Sequence, residues 1–166
     1  MQNQLSDMVK RLKEMSPEMC ARAIQTMSRG FDANIGLEYT HVSAKSVQAR
    51  LVVEAKHLQP YGLTHGGLYC TIGESICSVG ANLATLPDYK MSVGHRNTTT
   101  FLRGSRKGSQ LLAVAVASRT GESNRLLWTF TIKDESNNLC AEGEVLLAVH
   151  DHNTDIAGQP LDFAQG

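Results

Sequence analysis

The sequence lacks a net charge and a long apolar run, and both absences narrow the range of functions. Lysine plus arginine number 16, as do aspartate plus glutamate. Nucleic acids and anionic membranes favour a basic excess, so the balance argues against either as the main partner. No uninterrupted apolar stretch approaches the ~20 residues of a membrane-spanning helix, and the first residues lack the basic-then-apolar order of a signal peptide. We therefore expect a cytoplasmic protein that binds neither nucleic acid nor membrane.

Cysteine is also scarce, and its spacing fits no metal or redox motif. The four cysteines show no C-x-x-C pair and no histidine at metal-ligand spacing, so we expect reduced, mostly buried thiols and no metal site. The 166 residues suffice for one domain with a core of its own and are too few to argue for two.

Hydrophobic periodicity predicts a helical extension, one folded domain and a tail. Helical spacing covers residues 5–27, and Ser16-Pro17 predicts an N-cap followed by proline in a first turn, so we expect two helices that end at Gly30. We place the extension at residues 1–30, the domain at residues 31–150 and a flexible tail at residues 151–166.

Within the domain, segments of period two lie on both sides of one long apolar segment. Expected strands are one that begins near residue 35, then residues 47–56, 91–103, 110–119, 125–134 and 139–150. Short polar links separate the last three, which indicates antiparallel hairpins. Residues 111–117 are continuously apolar, so this strand should lie near the middle of the sheet with both faces covered.

The long apolar segment carries one charged residue. Between His65 and Leu86 only Glu74 is formally charged, and the apolar residues are too widely spread for a single stripe, which predicts a helix buried on nearly every side. One curved antiparallel sheet wrapped around that helix would cover it, giving an α+β fold. A buried carboxylate costs several kcal/mol unless it is compensated, so Glu74 is the candidate for the residue that does chemistry.

A glycine-containing loop leads into this helix, with the sequence Gln59-Pro60-x-Gly62-x-x-His65-Gly66-Gly67. The first amides of a helix lack internal acceptors and point outward at the positive end of its dipole, so they can bind an anion or a developing oxyanion. Gly66 has no side chain to obstruct a ligand that approaches its N–H.

With Glu74 nine positions after His65 and Ser78 four positions further on, this motif resembles that of hotdog-fold acyl-CoA thioesterases. The nearest branch is that of the phenylacetate-pathway and hydroxybenzoyl-CoA thioesterases, which use a helix glutamate. The resemblance covers about residues 35–150 and implies a hotdog fold preceded by a helical extension. It implies hydrolysis of an acyl-CoA to free acid and CoA, with CoA as part of the substrate and no cofactor.

The resemblance also implies roles for individual positions. Gly66 donates its amide to the thioester carbonyl, with Gly67 beside it at the substrate; Glu74 acts as nucleophile or general base; Gln59 helps place the substrate; and Ser78 helps hold water. The strand segment Asn97–Phe101 departs from the usual asparagine-and-aromatic pattern of the family, so the sequence leaves the acyl group open.

The spacing of Gly66 and Glu74 predicts a dimer. Eight residues on one helix separate their backbones by roughly 12 Å at about 1.5 Å per residue. A glutamate side chain leans toward the helix start but leaves much of that gap open. If both groups serve one carbonyl, they come from different subunits, so we expect an obligate dimer with two composite sites; the family commonly pairs such dimers into tetramers.

Several residues have two interpretations each. Glu74 could instead form a buried salt bridge with Arg96 or Arg103. Ser78 could orient the carboxylate or bond back to a helix carbonyl, and His65 could transfer a proton or only bond locally at the helix start. Gln59 could contact substrate or only form a turn.

A cationic loop follows the third strand. Arg103, Arg106 and Lys107 lie with two glycines within six residues, which suits the phosphates of CoA and equally an ordinary solvated turn. Two other functions remain open: a hotdog hydratase or dehydratase, for which His57 would be the base, and a module that binds acyl-CoA without turnover if Glu74 is fully ion-paired.

Overall fold

The computed structural model describes residue 11 and residues 14–120, 124–152, 154–156 and 158–160. Most of the first predicted helix lies outside these residues. The second is helix α1, Pro17–Met27, and it begins as predicted, because the Ser16 hydroxyl accepts from the Met19 amide at 3.3 Å. Gly30 does not end this helix. It precedes a short helix α2, Phe31–Ile35, and the strand expected from about residue 35 begins at Glu38.

Six strands form one antiparallel sheet. They are β1 Glu38–Val42, β2 Ser46–Val52, β3 Lys90–Phe101, β4 Gln110–Thr120, β5 Arg125–Asp134 and β6 Leu139–Asp151. Their order in space is β1-β2-β4-β5-β6-β3. The four strands predicted after the helix are confirmed within two residues at each end. Strand β2 stops four residues before its predicted end, because Glu54 and His57 cap a 3-10 turn, Ala55–His57, through reciprocal side-chain bonds.

Helix α3, Gly66–Thr85, connects β2 to β3 and packs across the sheet. Ile72, Ile76 and Cys77 on its inner face are fully buried. Two glycines allow the helix to approach the sheet closely: a Cβ at Gly73 would overlap the ring of Phe130, and a Cβ at Gly80 would overlap the indole of Trp128. The structure thus confirms an α+β fold in which an antiparallel sheet wraps around one long central helix.

Burial of α3 is less complete than predicted. Its inner face is closed, whereas residues on the opposite face, among them Glu74, Ser78 and Asn82, are only partly buried in the single chain. The sheet covers one side of the helix, and nothing in the described part of the chain covers the other as fully.

Strand β4 lies third in the sheet, near the middle as predicted, but the expectation that both its faces are covered is wrong for the single chain. Leu111, Ala113 and Ala115 point toward α3 and are buried. The alternate side chains stay open on the outer face: Leu112 is 47% exposed, Val114 38% and Val116 44%. The reason is that the helices in the described part of the chain do not cover the outer face of β4.

The two edges of the sheet differ. Helix α1 covers the β1 edge, because the Gln25 side chain accepts from the Tyr39 amide at 2.9 Å and donates to the Leu37 carbonyl at 3.4 Å. Strand β3 forms the other edge, and no described strand pairs with its outer side.

The predicted tail contains a small hairpin of β7, Asp155–Ile156, and β8, Gln159–Pro160, which its polar composition did not indicate. Among the helices that the structure describes, none is long and apolar enough to cross a membrane.

Candidate active site

The Glu74 carboxylate is held by neutral donors. The Asn97 amide of β3 donates to Oε2 at 3.1 Å, and the Ser78 hydroxyl, one turn further along α3, lies 3.4 Å from Oε1. Neither arginine considered from the sequence reaches Glu74: Arg96 lies 3.3 Å from Glu144, and Arg103 lies 3.9 Å from Asp134. The salt-bridge interpretation of Glu74 is therefore wrong for this chain, because no cation among the described residues lies within ion-pairing distance of the carboxylate.

A β-bulge shapes the strand that faces Glu74. Gly94 lies opposite Leu147 and Arg96 opposite Leu146, so His95 is the extra residue. On a regular strand, residues 94 and 97 would face opposite sides. The bulge turns both toward α3, and a Cβ at Gly94 would overlap the Glu74 carboxylate. The missing side chain at Gly94 therefore makes room for the carboxylate.

The start of α3 leaves one amide unused. The His65 ring caps the helix by accepting the Gly67 N–H at 2.9 Å, and the Leu68 N–H donates to the His65 carbonyl at 2.9 Å. Among the described residues the Gly66 N–H has no acceptor. The nearest atoms to a Cβ built at Gly66 belong to the Phe101 ring, 3.2 Å away, and this ring is 56% exposed. Gly66 thus presents a free donor at the positive end of a 20-residue helix.

The other motif residues stabilise the loop before the helix. Gln59 donates to the Thr64 carbonyl at 3.3 Å and accepts from the Tyr61 hydroxyl. The exposed His65 ring is engaged in capping through Nδ1. The structure thus brings Gln59 and His65 to the Gly66 end of α3, whereas Ser78 lies at the Glu74 end.

The cationic loop lies against the helix start. A buried hydroxyl cluster ties it there: Ser105 Oγ lies 2.7 Å from Thr64 Oγ1 and 2.8 Å from the Tyr69 hydroxyl. Arg106 and Lys107 are exposed, and Arg103 faces Asp134. The loop therefore presents, near the Gly66 end of the helix, two cations that no described acidic residue pairs with.

His57 is engaged elsewhere. Its ring is 5% exposed, its Nδ1 accepts from the Glu54 amide at 2.9 Å, and its carbonyl accepts the His65 N–H at 2.8 Å. Burial and the nearby Lys56 charge lower the pKa of His57. This histidine supports the turn that leads to α3 and forms no bond to Glu74.

Sequence reasoning missed Asn97, Thr99 and Gly94. The available signal was the run of polar residues on β3, where alternate positions should be apolar if they face a helix. No group of three histidine, cysteine or acidic residues in the described chain is placed to hold a metal ion. Burial, and secondarily the Glu74 charge, raises the pKa of the Cys77 thiol, which keeps this neighbour of Glu74 neutral.

Comparison with known proteins finds relatives over most of the chain. A family model described as the thioesterase superfamily matches residues 61–141. A protein of Mycobacterium tuberculosis (strain CDC 1551 / Oshkosh), named provisionally as an esterase, is 33% identical over 136 residues, which are 80% of this chain and 95% of that protein. The solved structure of the M. tuberculosis esterase matches with a TM-score of 0.70 at 32% identity, covering 73% of this chain and 96% of that one.

Two further relatives have more specific names. An Escherichia coli K12 protein named 1,4-dihydroxy-2-naphthoyl-CoA hydrolase is 29% identical over 115 residues, which are 69% of this chain and 82% of the relative. The crystal structure of a Haemophilus influenzae thioesterase matches with a TM-score of 0.69 at 28% identity, over 76% of this chain and 87% of that one. The chain belongs to the thioesterase superfamily. Its hotdog fold and its class, an enzyme with thioesterase activity, are those that the motif predicted.

Proposed function

We propose that the protein hydrolyses an acyl-CoA thioester to a free acid and CoA. Glu74 is the nucleophile or the general base, and the Gly66 amide receives the carbonyl oxygen. The observation that carries this proposal is the pairing of an unneutralised carboxylate with an unused amide on the same helix. CoA enters only as part of the substrate, and the E. coli relative named as a CoA-ester hydrolase supports this choice of thioester.

Both routes are chemically complete. In the covalent route, the Glu74 carboxylate attacks the thioester carbon, the C–S bond breaks with release of CoA thiolate, and water then hydrolyses the mixed anhydride. In the other route, Glu74 takes a proton from water as the water oxygen attacks the same carbon; the tetrahedral intermediate then collapses, the C–S bond breaks, and the leaving CoA thiolate takes up the proton from Glu74. In either route negative charge develops on the carbonyl oxygen, where the Gly66 N–H donates.

We infer that the working site is shared by two subunits. Gly66 and Glu74 lie on one continuous helix, so their backbones are separated by roughly 12 Å. This separation prevents one chain from applying both groups to one carbonyl. Two copies related by a two-fold axis would supply both groups twice, which gives two composite sites per dimer.

The open edge of the sheet supports the same assembly. Strand β3 is 12 residues long, and its outer edge offers backbone donors and acceptors to a second β3 strand. Phe101, at one end of β3, contacts Gly66, whereas Gly94 and Asn97 contact Glu74. Antiparallel pairing of two β3 strands centred on Thr98, which sets Phe101 of one chain opposite residue 95 of the other, would therefore bring the Gly66 end of one chain alongside the Glu74 region of the other. Pairing of such dimers into a tetramer remains part of the proposal.

The cationic loop fits the CoA end of the substrate. Arg106 and Lys107 are exposed near the Gly66 end of α3, where the carbonyl would bind. We propose that these two side chains and Arg103 contact CoA phosphates, with Gly67 next to the thioester and Gln59 holding the loop around it.

Neither alternative function gains support from the geometry. A hydratase needs a histidine and an acid that face one carbon, and His57 is buried in a capping turn. A binding module without turnover was expected only if Glu74 were ion-paired, and no described cation pairs with it.

The first test follows thiol release from a panel of acyl-CoAs, aromatic and aliphatic, together with hydration of an enoyl-CoA. Glu74→Gln removes the anion at nearly constant shape, and we expect it to reduce thiol release to a small residual rate while the free energy of unfolding changes little. Thiol release that persists at the wild-type rate would refute the role of Glu74, and hydration without thiol release would favour the hydratase.

The second test addresses the amide and the shared site. Gly66→Pro removes the N–H at the first helical position, where proline is tolerated and the extended His65 before it (φ −66°, ψ 132°) is compatible. Gly66→Ala keeps the N–H and is the control. Equal mixing of inactive Glu74→Ala and Gly66→Pro chains should restore about a quarter of wild-type activity, because half the dimers carry one intact site of two. No recovery would refute the composite site.

A further inference from the structure

We propose that Asn97, backed by Thr99, is a positioning residue that fixes the Glu74 carboxylate and leaves Oε1 as its reactive oxygen. The inference rests on the proposed role of Glu74 in hydrolysis. It adds a residue that the motif does not contain, on a strand where this chain departs from the family pattern.

The Asn97 amide has one orientation that satisfies its surroundings. Its Nδ2 donates to Glu74 Oε2 at 3.1 Å and to the Cys70 carbonyl at 3.0 Å, so both of its hydrogens are used. Its Oδ1 accepts from the Thr99 hydroxyl at 2.7 Å. Exchanging the oxygen and the nitrogen would place Oδ1 against two acceptors, so Thr99 and the two acceptors together fix the amide.

These contacts tie the carboxylate to its own helix. Cys70 precedes Glu74 by one turn and lies on the same face of α3. Asn97 therefore binds both the backbone carbonyl of Cys70 and the side chain of Glu74. A side chain with three rotatable bonds is thereby held at its far end. The bulge at His95 is necessary for this arrangement, because it turns residue 97 toward α3 together with Gly94.

A neutral donor suits this task better than a cation. An arginine in the same place would hold the carboxylate but neutralise the charge that nucleophilic attack or proton removal needs. The amide fixes Oε2 and leaves the anion in place. Among the described residues, Oε1 has only the longer Ser78 contact of 3.4 Å, and it occupies the space that a Cβ at Gly94 would fill. Oε1 is therefore the oxygen that we expect to face water or the acyl carbon.

Steady-state thiol release from an acyl-CoA that the wild type hydrolyses tests the inference. We expect Asn97→Ala to lower kcat about 10²-fold with KM changed less than threefold, because a displaced carboxylate spoils the attack geometry and leaves binding intact. Asn97→Asp keeps the shape and should lower kcat at least as much, because it sets a carboxylate against Glu74. A role in packing alone would instead make the same-shape Asn97→Asp the milder change.

Thr99 gives a test that leaves Asn97 in place. Thr99→Val removes the hydroxyl at constant shape and should lower kcat about tenfold, whereas Thr99→Ser keeps the hydroxyl and should retain wild-type kcat. The matched control is Thr100→Val, on the exposed outer face of the same strand, which should also retain it. If the Asn97 variants do not fold, the Thr99 series decides the question alone.

The outcomes separate this inference from the proposed function. If Glu74→Gln is inactive while both Asn97 variants and Thr99→Val keep kcat within threefold, the positioning role is refuted and the role of Glu74 stands. If Glu74→Gln is active, both are refuted. In the Glu74→Gln background, Asn97→Ala should change the residual rate less than twofold. A further tenfold loss there would show that Asn97 acts independently of the carboxylate, contrary to the inference.

Discussion

Adding one methyl group at Gly94 tests whether the observed position of the Glu74 carboxylate is needed for activity, without changing Asn97. In Gly94→Ala the new Cβ overlaps the Glu74 carboxylate. The backbone of Gly94 is not in the left-handed region, so alanine adopts it without strain. The flexible glutamate side chain, rather than the paired strand, should move, and in moving it loses the Asn97 donor at 3.1 Å.

The magnitude follows from the bond that is lost. A hydrogen bond to a charged group contributes about 1.5–3 kcal/mol, and about 1.4 kcal/mol corresponds to a tenfold change in rate. If the lost bond holds the carboxylate for attack, kcat should fall about 10- to 10²-fold. KM should change little, because the substrate contacts near Gly66 are untouched. The free energy of unfolding should change by less than about 1.5 kcal/mol, since a conformational change of one side chain relieves the overlap.

The assay combines initial rates of thiol release with urea unfolding of the same preparation. Thr100→Ala, on the outer face of β3, is the control and should match the wild type in kcat. A Gly94→Ala protein that folds and retains kcat within threefold would refute the reasoning, because the carboxylate would then work from a position other than the one observed. A loss of stability of 3 kcal/mol or more would show that the strand yields instead of the side chain.

Three further predictions concern stability. Gly80→Ala should lower the free energy of unfolding by about 1–3 kcal/mol in urea titrations, because the overlapping indole of Trp128 is 1% exposed and has no space to retreat; unchanged stability would contradict this packing. Burial raises the pKa of Cys77 above the ordinary 9.0, so the folded thiol stays protonated while the unfolded one ionises. Stability is therefore retained below pH 9 and lost above it, and between pH 8 and pH 10 the wild type should lose about 1.4 kcal/mol more than Cys77→Ala; an equal loss in both would contradict the burial effect. Gln25→Ala should cost about 1–3 kcal/mol in the same titrations, because two backbone groups of the β1 edge lose their bonds, and a loss below 0.5 kcal/mol would show that water replaces them.

Much of the fold follows from local patterns. Strand-like runs separated by short polar links predict β4, β5 and β6 within two residues, because both signals are local to the segment. The N-cap at Ser16 and the glycine-led start of α3 at Gly66 are short-range signals that tertiary contacts do not override. Glu74 stands out from the sequence for the same reason, since a charge in an apolar helix is visible without a structure.

The rest depends on relations between distant segments. A β-bulge inserts one residue and reverses which side chains of the following strand face the helix. Residues 94 and 97 would lie on opposite faces of a regular strand, and only the bulge at His95 lets both of them contact Glu74. Asn97 could not be assigned to Glu74 without that register. The exposed outer face of β4 was missed for a different reason. A continuous apolar run indicates that both faces of a strand tend to be buried, but it does not indicate whether the burying residues belong to the same chain.

The unequal edges of the sheet limit how far this protein can polymerise. A sheet with two exposed borders can add copies without end, whereas here α1 occupies the border at β1 with a side-chain amide that imitates a neighbouring strand. In the proposed dimer both β3 borders are consumed, so the joined sheet ends on each side at a protected strand. Edge-to-edge growth of the sheet then stops at two chains, so pairing of dimers into a tetramer would have to use another surface.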